Sequence, residues 1–145
     1  MVTVSALRVS VIVFLTLAAK ADTITTRDSR TWNGTVTSLQ GSLLVLQAGT
    51  PGSKAATPLS FGSNYVRAIE FNSTTYNPSA IPTPPQPAGG NFSGTVYTRD
   101  KKAHPCTNIG VNQKQITCGG KPIPAGNPGK SVALGDVIRI MIDAQ

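Results

Sequence analysis

Residues 31–47, TWNGTVTSLQGSLLVLQ, decide the fold class. Thr31 to Leu39 is rich in Thr and Val, which suit a pleated, half-buried surface. Gly34 interrupts the run and marks a bend or bulge. Gln40-Gly41 supplies a tight turn. Ser42 to Gln47 then gives a near-continuous apolar run, which predicts a strand buried on both faces. The remainder of the first half follows the same logic. Thr23–Thr26 is a short β-branched stretch and Asp28-Ser29 a turn. The region 48–56 is a Gly/Pro/Ser loop, and Thr57–Phe61 is a strand whose Pro58 points to an edge. Gly62-Ser63-Asn64 is a turn, and Tyr65–Phe71 is a closing strand.

The stretch 73–91, STTYNPSAIPTPPQPAGGN, changes composition sharply. Its prolines and Gly-Gly pair suit an extended, semi-rigid spacer. Beyond it, Phe92–Thr98 reads as a strand and Arg99–His104 as a charged loop. Gly110–Thr117 reads as one polar strand, and Ser131–Leu134 and Val137–Ile142 as closing strands. Period two places Ile138, Ile140 and Ile142 on one face. No helical apolar stripe follows residue 21. The expected fold is all-β: two small barrel modules, or one sandwich or barrel using all the strands, joined by a Pro-rich linker after an N-terminal signal helix. The boundaries are 1–21, 22–72, 73–91 and 92–145.

Residues 1–21, MVTVSALRVSVIVFLTLAAKA, place a positive charge before a largely apolar run and end on Ala19-Lys20-Ala21. This is the anatomy of a cleaved secretory leader, and its apolar core falls short of the roughly 20 residues of a membrane span. The alternative is an uncleaved anchor over residues 2–19. A periplasmic or extracellular location follows from the first, and an anchor in the cytoplasmic membrane from the second. An exported chain with two cysteines predicts a Cys106–Cys118 disulfide, which for a loop of this length is worth about 3 kcal/mol. Two Cys and one His do not make a four-ligand structural zinc site. No metal and no cofactor are expected.

The halves echo one another. Gly34-Thr35-Val36 returns as Gly94-Thr95-Val96. Val66-Arg67-Ala68-Ile69 is echoed by Ile138-Arg139-Ile140-Met141, and Leu59-Ser60-Phe61-Gly62 by Val132-Ala133-Leu134-Gly135. Duplication of one small β unit would produce this pattern.

The succession of Thr23–Thr26, Asn33-Gly34-Thr35-Val36, Leu43–Leu46, Leu59–Phe61 and Val66-x-x-Ile69-Glu70-Phe71 resembles the small Sm-like and SH3-like barrels of exported bacterial proteins. The resemblance covers about residues 22–72, with a stretched version over 92–143. It implies a role in protein–protein contact, ring assembly or ligand binding. The RNA-binding Sm proteins carry an Asp-x-x-x-Asn element and an Arg-Gly pair. Here the first element is missing, Arg67 precedes Ala68 and Arg139 precedes Ile140, so no nucleic-acid partner is expected.

The net charge is +7, with Arg8 and Lys20 inside the leader. Arg99, Lys101 and Lys102 form the one small basic cluster. They are candidate contacts for an anionic glycan or lipid headgroup, with Trp32 as a candidate aromatic contact. Trp32 with Tyr65, Tyr76 and Tyr97 would make a sugar-stacking platform, whereas packing in a small core is the competing role for Trp32. His104 is the only histidine, and the six acidic residues do not pair off in sequence. No hydrolytic triad or paired-carboxylate arrangement can be assembled from them. The expectation is an exported, non-catalytic binding or assembly module with a protein partner or self-association. The alternatives are a membrane-anchored accessory subunit and a secreted glycan or polyanion binder.

Overall fold

The computed structural model describes residues 20–48, 57–75, 90–112, 115–126 and 128–144. The expected leader over 1–19 and most of the expected linker lie outside the described residues. What is described is all-β. The strands are β1 (Lys20–Thr26), β2 (Thr31–Gln40), β3 (Leu43–Ala48), β4 (Thr57–Gly62), β5 (Val66–Thr75), β6 (Gly94–Thr98), β7 (Ala103–Cys106), β8 (Ile109–Val111), β9 (Ile116–Cys118), β10 (Lys121–Pro122) and β11 (Val137–Ile142). A 3-10 turn over Leu134–Asp136 precedes β11.

All strand pairings are antiparallel. They form one curled, half-barrel sheet in the order β10-β9-β8-β2-β1-β5-β11-β6-β7, with β3 and β4 branching from β2. Bulges sharpen the curl. One lies in β2 between Val36 and Ser38, and others lie where β1 meets β5 and β6 meets β11. Inside the curl a single apolar cluster runs through both halves, from Ile24, Trp32 and Phe61 to Val96, Ile109, Ile140 and Ile142. Burying each such aliphatic side chain contributes about 1.5–3 kcal/mol.

Several strands depart from the sequence reading. β3 alternates, with Leu44, Leu46 and Ala48 buried and Leu43, Val45 and Gln47 half-buried, so it covers one face of the core. β5 runs on to Thr75, because Thr74 and Thr75 pair with Ala21 and Lys20. β1 accordingly begins at Lys20, inside the stretch read as leader, and Ala21 is buried. The charged loop 99–104 shortens to a turn, with β7 starting at Ala103. The single polar strand 110–117 is a hairpin of β8 and β9, whose pairs include Val111↔Ile116. In β11 the bulge at Ile138 breaks the period of two. Val137, Ile140 and Ile142 face the core, and Ile138 is 40% exposed.

The echo between the halves is structural, but its frame differs from the Gly-Thr-Val match. In β1 and β2, Ile24 pairs with Trp32 and Asp22 with Gly34. In β6 and β7, Val96 pairs with His104 and Gly94 with Cys106. Gly94 thus corresponds to Asp22, and Gly34 to Cys106. The same frame continues into the closing strands. Ile24 pairs with Ile69 and Val96 with Ile140, with a one-residue bulge following at Arg67 in one half and at Ile138 in the other. Further on, Leu43↔Gly62 matches the bridge Gln115↔Ala133.

The hydrogen bonds repeat as well. Thr26 N–H donates to Arg30 O at 2.9 Å and Thr98 N–H to Lys102 O at 3.1 Å. Arg27 N–H donates to Tyr65 O at 2.8 Å and Arg99 N–H to Asp136 O at 2.9 Å. The unit is therefore β1 to β5 in one half, and β6 to β11 in the other with the long β2 replaced by β7 and β8. Equivalent residues pair with each other in Ile69↔Ile140 and Leu39↔Val111, so a local two-fold relates the units.

Asp22 has no counterpart carboxylate in the second unit. Its Oδ2 accepts from Val36 N–H and its Oδ1 from Asn72 N–H, both at 2.9 Å, tying β2 and β5 to β1. Burial pushes its carboxyl above the usual carboxylate range, and these two bonds pull the other way. A raised folded value means that the unfolded chain ionises first. The neutral carboxyl's contribution is full below about pH 4 and is lost as pH rises through the folded value. The urea midpoint of the native chain relative to Asp22→Asn is therefore expected to fall between pH 3 and pH 7. A flat difference would show that the carboxyl ionises alike in both states.

Candidate functional site

Between the Thr98–Lys102 turn and the approach to β11 lies a cavity of about 260 Å³, lined by Thr98, Arg99, Asp100, His104, Ala125, Gly126, Val132 and Asp136. Its floor is half-buried His104 and Val132, and its rim is exposed Arg99, Asp100, Gly126 and Asp136.

The turn that frames it is built by its sequence. The Thr98 hydroxyl donates to Asp100 Oδ1, and Lys101 N–H donates to Thr98 O at 3.0 Å. Lys101 takes φ 64° to close the turn. That left-handed conformation is uncommon for a residue with a Cβ. The Thr98 hydroxyl, foremost among the causes, holds the Asp100 carboxyl below its usual range. Thr26, Asp28 and Ser29 build the same turn in the first unit, with Ser29 at φ 65° and the Asp28 carboxyl lowered by the Thr26 hydroxyl.

The basic cluster is divided by this geometry. Arg99 Nε donates to Gly135 O at 3.2 Å and so staples the turn to the chain entering β11. Lys102 Nζ lies 3.8 Å from Asp100 Oδ2. It also sits 2.7 Å from where a Cβ on Gly126 would be, so it reaches across the cavity's rim. Lys101 is exposed at the turn's tip. Trp32 is not with them. It is 4% exposed, packed edge-on against Phe61 with ring centroids 5.1 Å apart, and Arg30 lies 5.0 Å above its ring. Nor does an aromatic platform form among the described residues. Tyr65 is exposed, Tyr97 lies under Arg139 at 4.8 Å, and Tyr76 is outside the described residues.

His104 Nε2 lies 3.5 Å from the Thr98 hydroxyl oxygen. That hydroxyl's hydrogen points to Asp100. The arrangement fixes a turn and does not present an activated nucleophile to the imidazole. Among the described residues no three His, Cys, Asp or Glu side chains gather closely enough to hold a metal ion.

No family model, curated protein or solved structure matches this chain. Its own first unit supplies the comparison instead. By strand register His104 stands where Trp32 stands, and Val132 where Phe61 stands; Lys102 takes the place of Arg30. The first unit fills this volume with an indole and a phenyl ring. The second puts an imidazole and an isopropyl group there, and the cavity remains. Sequence reading missed His104 and Val132 as a pair. The signal was present in Thr-Arg-Asp-Ser-Arg-Thr-Trp (26–32) against Thr-Arg-Asp-Lys-Lys-Ala-His (98–104).

A second cavity of about 240 Å³ lies on the local two-fold, lined by Ser38, Leu39, Gln40, Gly110, Val111, Asn112, Gln115 and Thr117. It arises where β2 and β8 meet through one pair, Leu39↔Val111.

The disulfide is formed. Cys106, at the end of β7, joins Cys118, at the end of β9, with Cα atoms 5.3 Å apart. It suits a non-reducing, extracytoplasmic environment. No helix among the described residues is long and apolar enough to cross a membrane.

Proposed function

We propose that this chain is an exported, non-catalytic binding or assembly module of the cell envelope or extracellular space. In this reading its two curled units are SH3/Sm-like barrels, and the second carries the binding site. One observation supports it above the others. Two equivalent units share backbone and turns, yet one is closed by Trp32 and Phe61 while the other keeps a cavity at His104 and Val132. A half-enclosed hollow with a few convergent polar groups is the usual form of a ligand or partner site. The disulfide and the leader-like residues 1–21 support export.

The test compares the tagged native chain with His104→Trp/Val132→Phe on an envelope fraction. A partner or ligand retained by the native chain and lost by the refilled variant is expected. Equal retention by both would remove the cavity from the function. A second reading, retention of residues 2–19 as an anchor, is favoured by the pairing of Lys20 and Ala21 in β1. Cleavage after Ala21 would remove both from the strand, so the intact mass of the protein separates the two readings.

A further inference from the structure

We propose that the cavity of the second unit takes an aromatic ring supplied from outside the chain, with the Lys102 ammonium over its face. This rests on the reading of that cavity as the binding site and specifies its ligand.

The first unit shows what this volume accepts. There the ring of Trp32 lies inside the curl against Phe61, with the Arg30 guanidinium 5.0 Å from its centroid. The second unit keeps the parts around that ring. Thr98, Arg99 and Asp100 repeat Thr26, Arg27 and Asp28, and the hydrogen bonds that hold the turn are the same. It keeps the cation as well, since Lys102 stands at the position of Arg30. What it lacks is the ring.

Size and chemistry agree with that occupant. A cavity of about 150 Å³ is enough for a benzene ring, and this one measures about 260 Å³. Val132, at the position of Phe61, and Ala125 offer aliphatic contact, and His104 offers an aromatic edge or face at the position of Trp32. The absence of a side chain on Gly126 lets Lys102 extend over the opening. A cation within about 6 Å of a ring centroid is attracted to its face. On the rim Arg99 and Lys102 balance Asp100 and Asp136, so no net charge is called for beside the ring. The occupant is thus a neutral aromatic group, either a free small molecule or an aromatic side chain of a partner.

The experiment follows backbone amide signals of the disulfide-bonded chain during titration. Benzyl alcohol is compared with cyclohexylmethanol, and indole with N-acetyl-tryptophanamide. Saturable shifts at Thr98, His104 and Val132 are expected with the aromatic probes, with cyclohexylmethanol several-fold weaker. Tighter binding of N-acetyl-tryptophanamide than of indole assigns the ring to a partner side chain; the reverse assigns it to a small molecule. Lys102→Met is expected to weaken benzyl alcohol about three-fold and leave cyclohexylmethanol unchanged. Val132→Phe, with or without His104→Trp, is expected to abolish binding, and the single substitution serves should the double one fail to fold. Equal binding of the saturated and aromatic rings, or undiminished binding to a folded refilled variant, would overturn the proposal. If the refilled variant loses its envelope partner while no aromatic probe binds, this inference fails and the binding-module reading stands. If aromatic probes bind and no partner depends on the cavity, the reverse holds.

Discussion

Replacing Gly94 with alanine is expected to destabilise the chain by about 3 kcal/mol or more, because overpacking against backbone leaves no soft neighbour to move. The added Cβ would be driven into the carbonyl oxygen of Met141, with the carbonyl carbon at 2.9 Å and Ile142 Cα at 3.0 Å. β6 would have to separate from β11, and that pairing holds Val96 against Ile140 in the core. Gly34→Ala is expected to act alike, since its Cβ would meet the Gln47 carbonyl at the β2–β3 crossing. Gly135 is the control. A Cβ there meets nothing within 4 Å, so Gly135→Ala should stay within about 0.5 kcal/mol of the native chain. Urea unfolding of the three variants decides it. A Gly94→Ala chain as stable as Gly135→Ala would mean that β6 and β11 are not paired in this register.

Loss of the disulfide carries the next largest effect. Cys106 and Cys118 are 12 apart in sequence, and a loop of that length is worth about 3 kcal/mol on the chain-entropy account. The bond closes the loop that contains β8 and joins the ends of β7 and β9. β9 and β10 are otherwise held by short pairings, Lys121↔Cys118 and Pro122↔Thr117 among them. The paired Cys106→Ser/Cys118→Ser substitution is expected to lower the urea midpoint and to speed hydrogen exchange more in β8 to β10 than in β1 and β5. An unchanged midpoint would show that the hairpin is held by its packing alone.

Much of the fold was legible because period two and turn chemistry are local. The turns at Gly41 and Gly62–Asn64 and the strands at 43–47 and 66–71 needed no tertiary information. The bulges did need it. Nothing in Val137–Ile142 by itself says that Ile138 turns outward; the register against Thr98 and Tyr97 decides it. The pairing of Lys20 and Ala21 with Thr75 and Thr74 joins residues far apart in the chain, and an Ala-x-Ala pattern cannot report it.

The internal repeat was misframed for a related reason. Gly-Thr-Val is an identity of three residues, but Gly34 and Gly94 stand at different places in their units. The true frame rests on Thr-Arg-Asp, whose value lies in the turn it makes. Of the candidate contacts, Arg99 lines the cavity, and Lys102 reaches its rim only through its ammonium beside Gly126. Trp32 marks the site indirectly, as the ring that the second unit lacks. That absence becomes visible only once strand register has aligned Trp32 with His104.

The local two-fold makes Trp32 the counterpart of His104 and Phe61 that of Val132. Nuclear Overhauser spectra of the isotopically labelled, disulfide-bonded chain test it most directly. Backbone cross-strand contacts are predicted between Ile69 and Ile140 and between Leu39 and Val111, alongside Ile24 with Trp32 and Val96 with His104. Contacts that instead joined Arg67 to Arg139, or placed no residue of β5 beside β11, would contradict it.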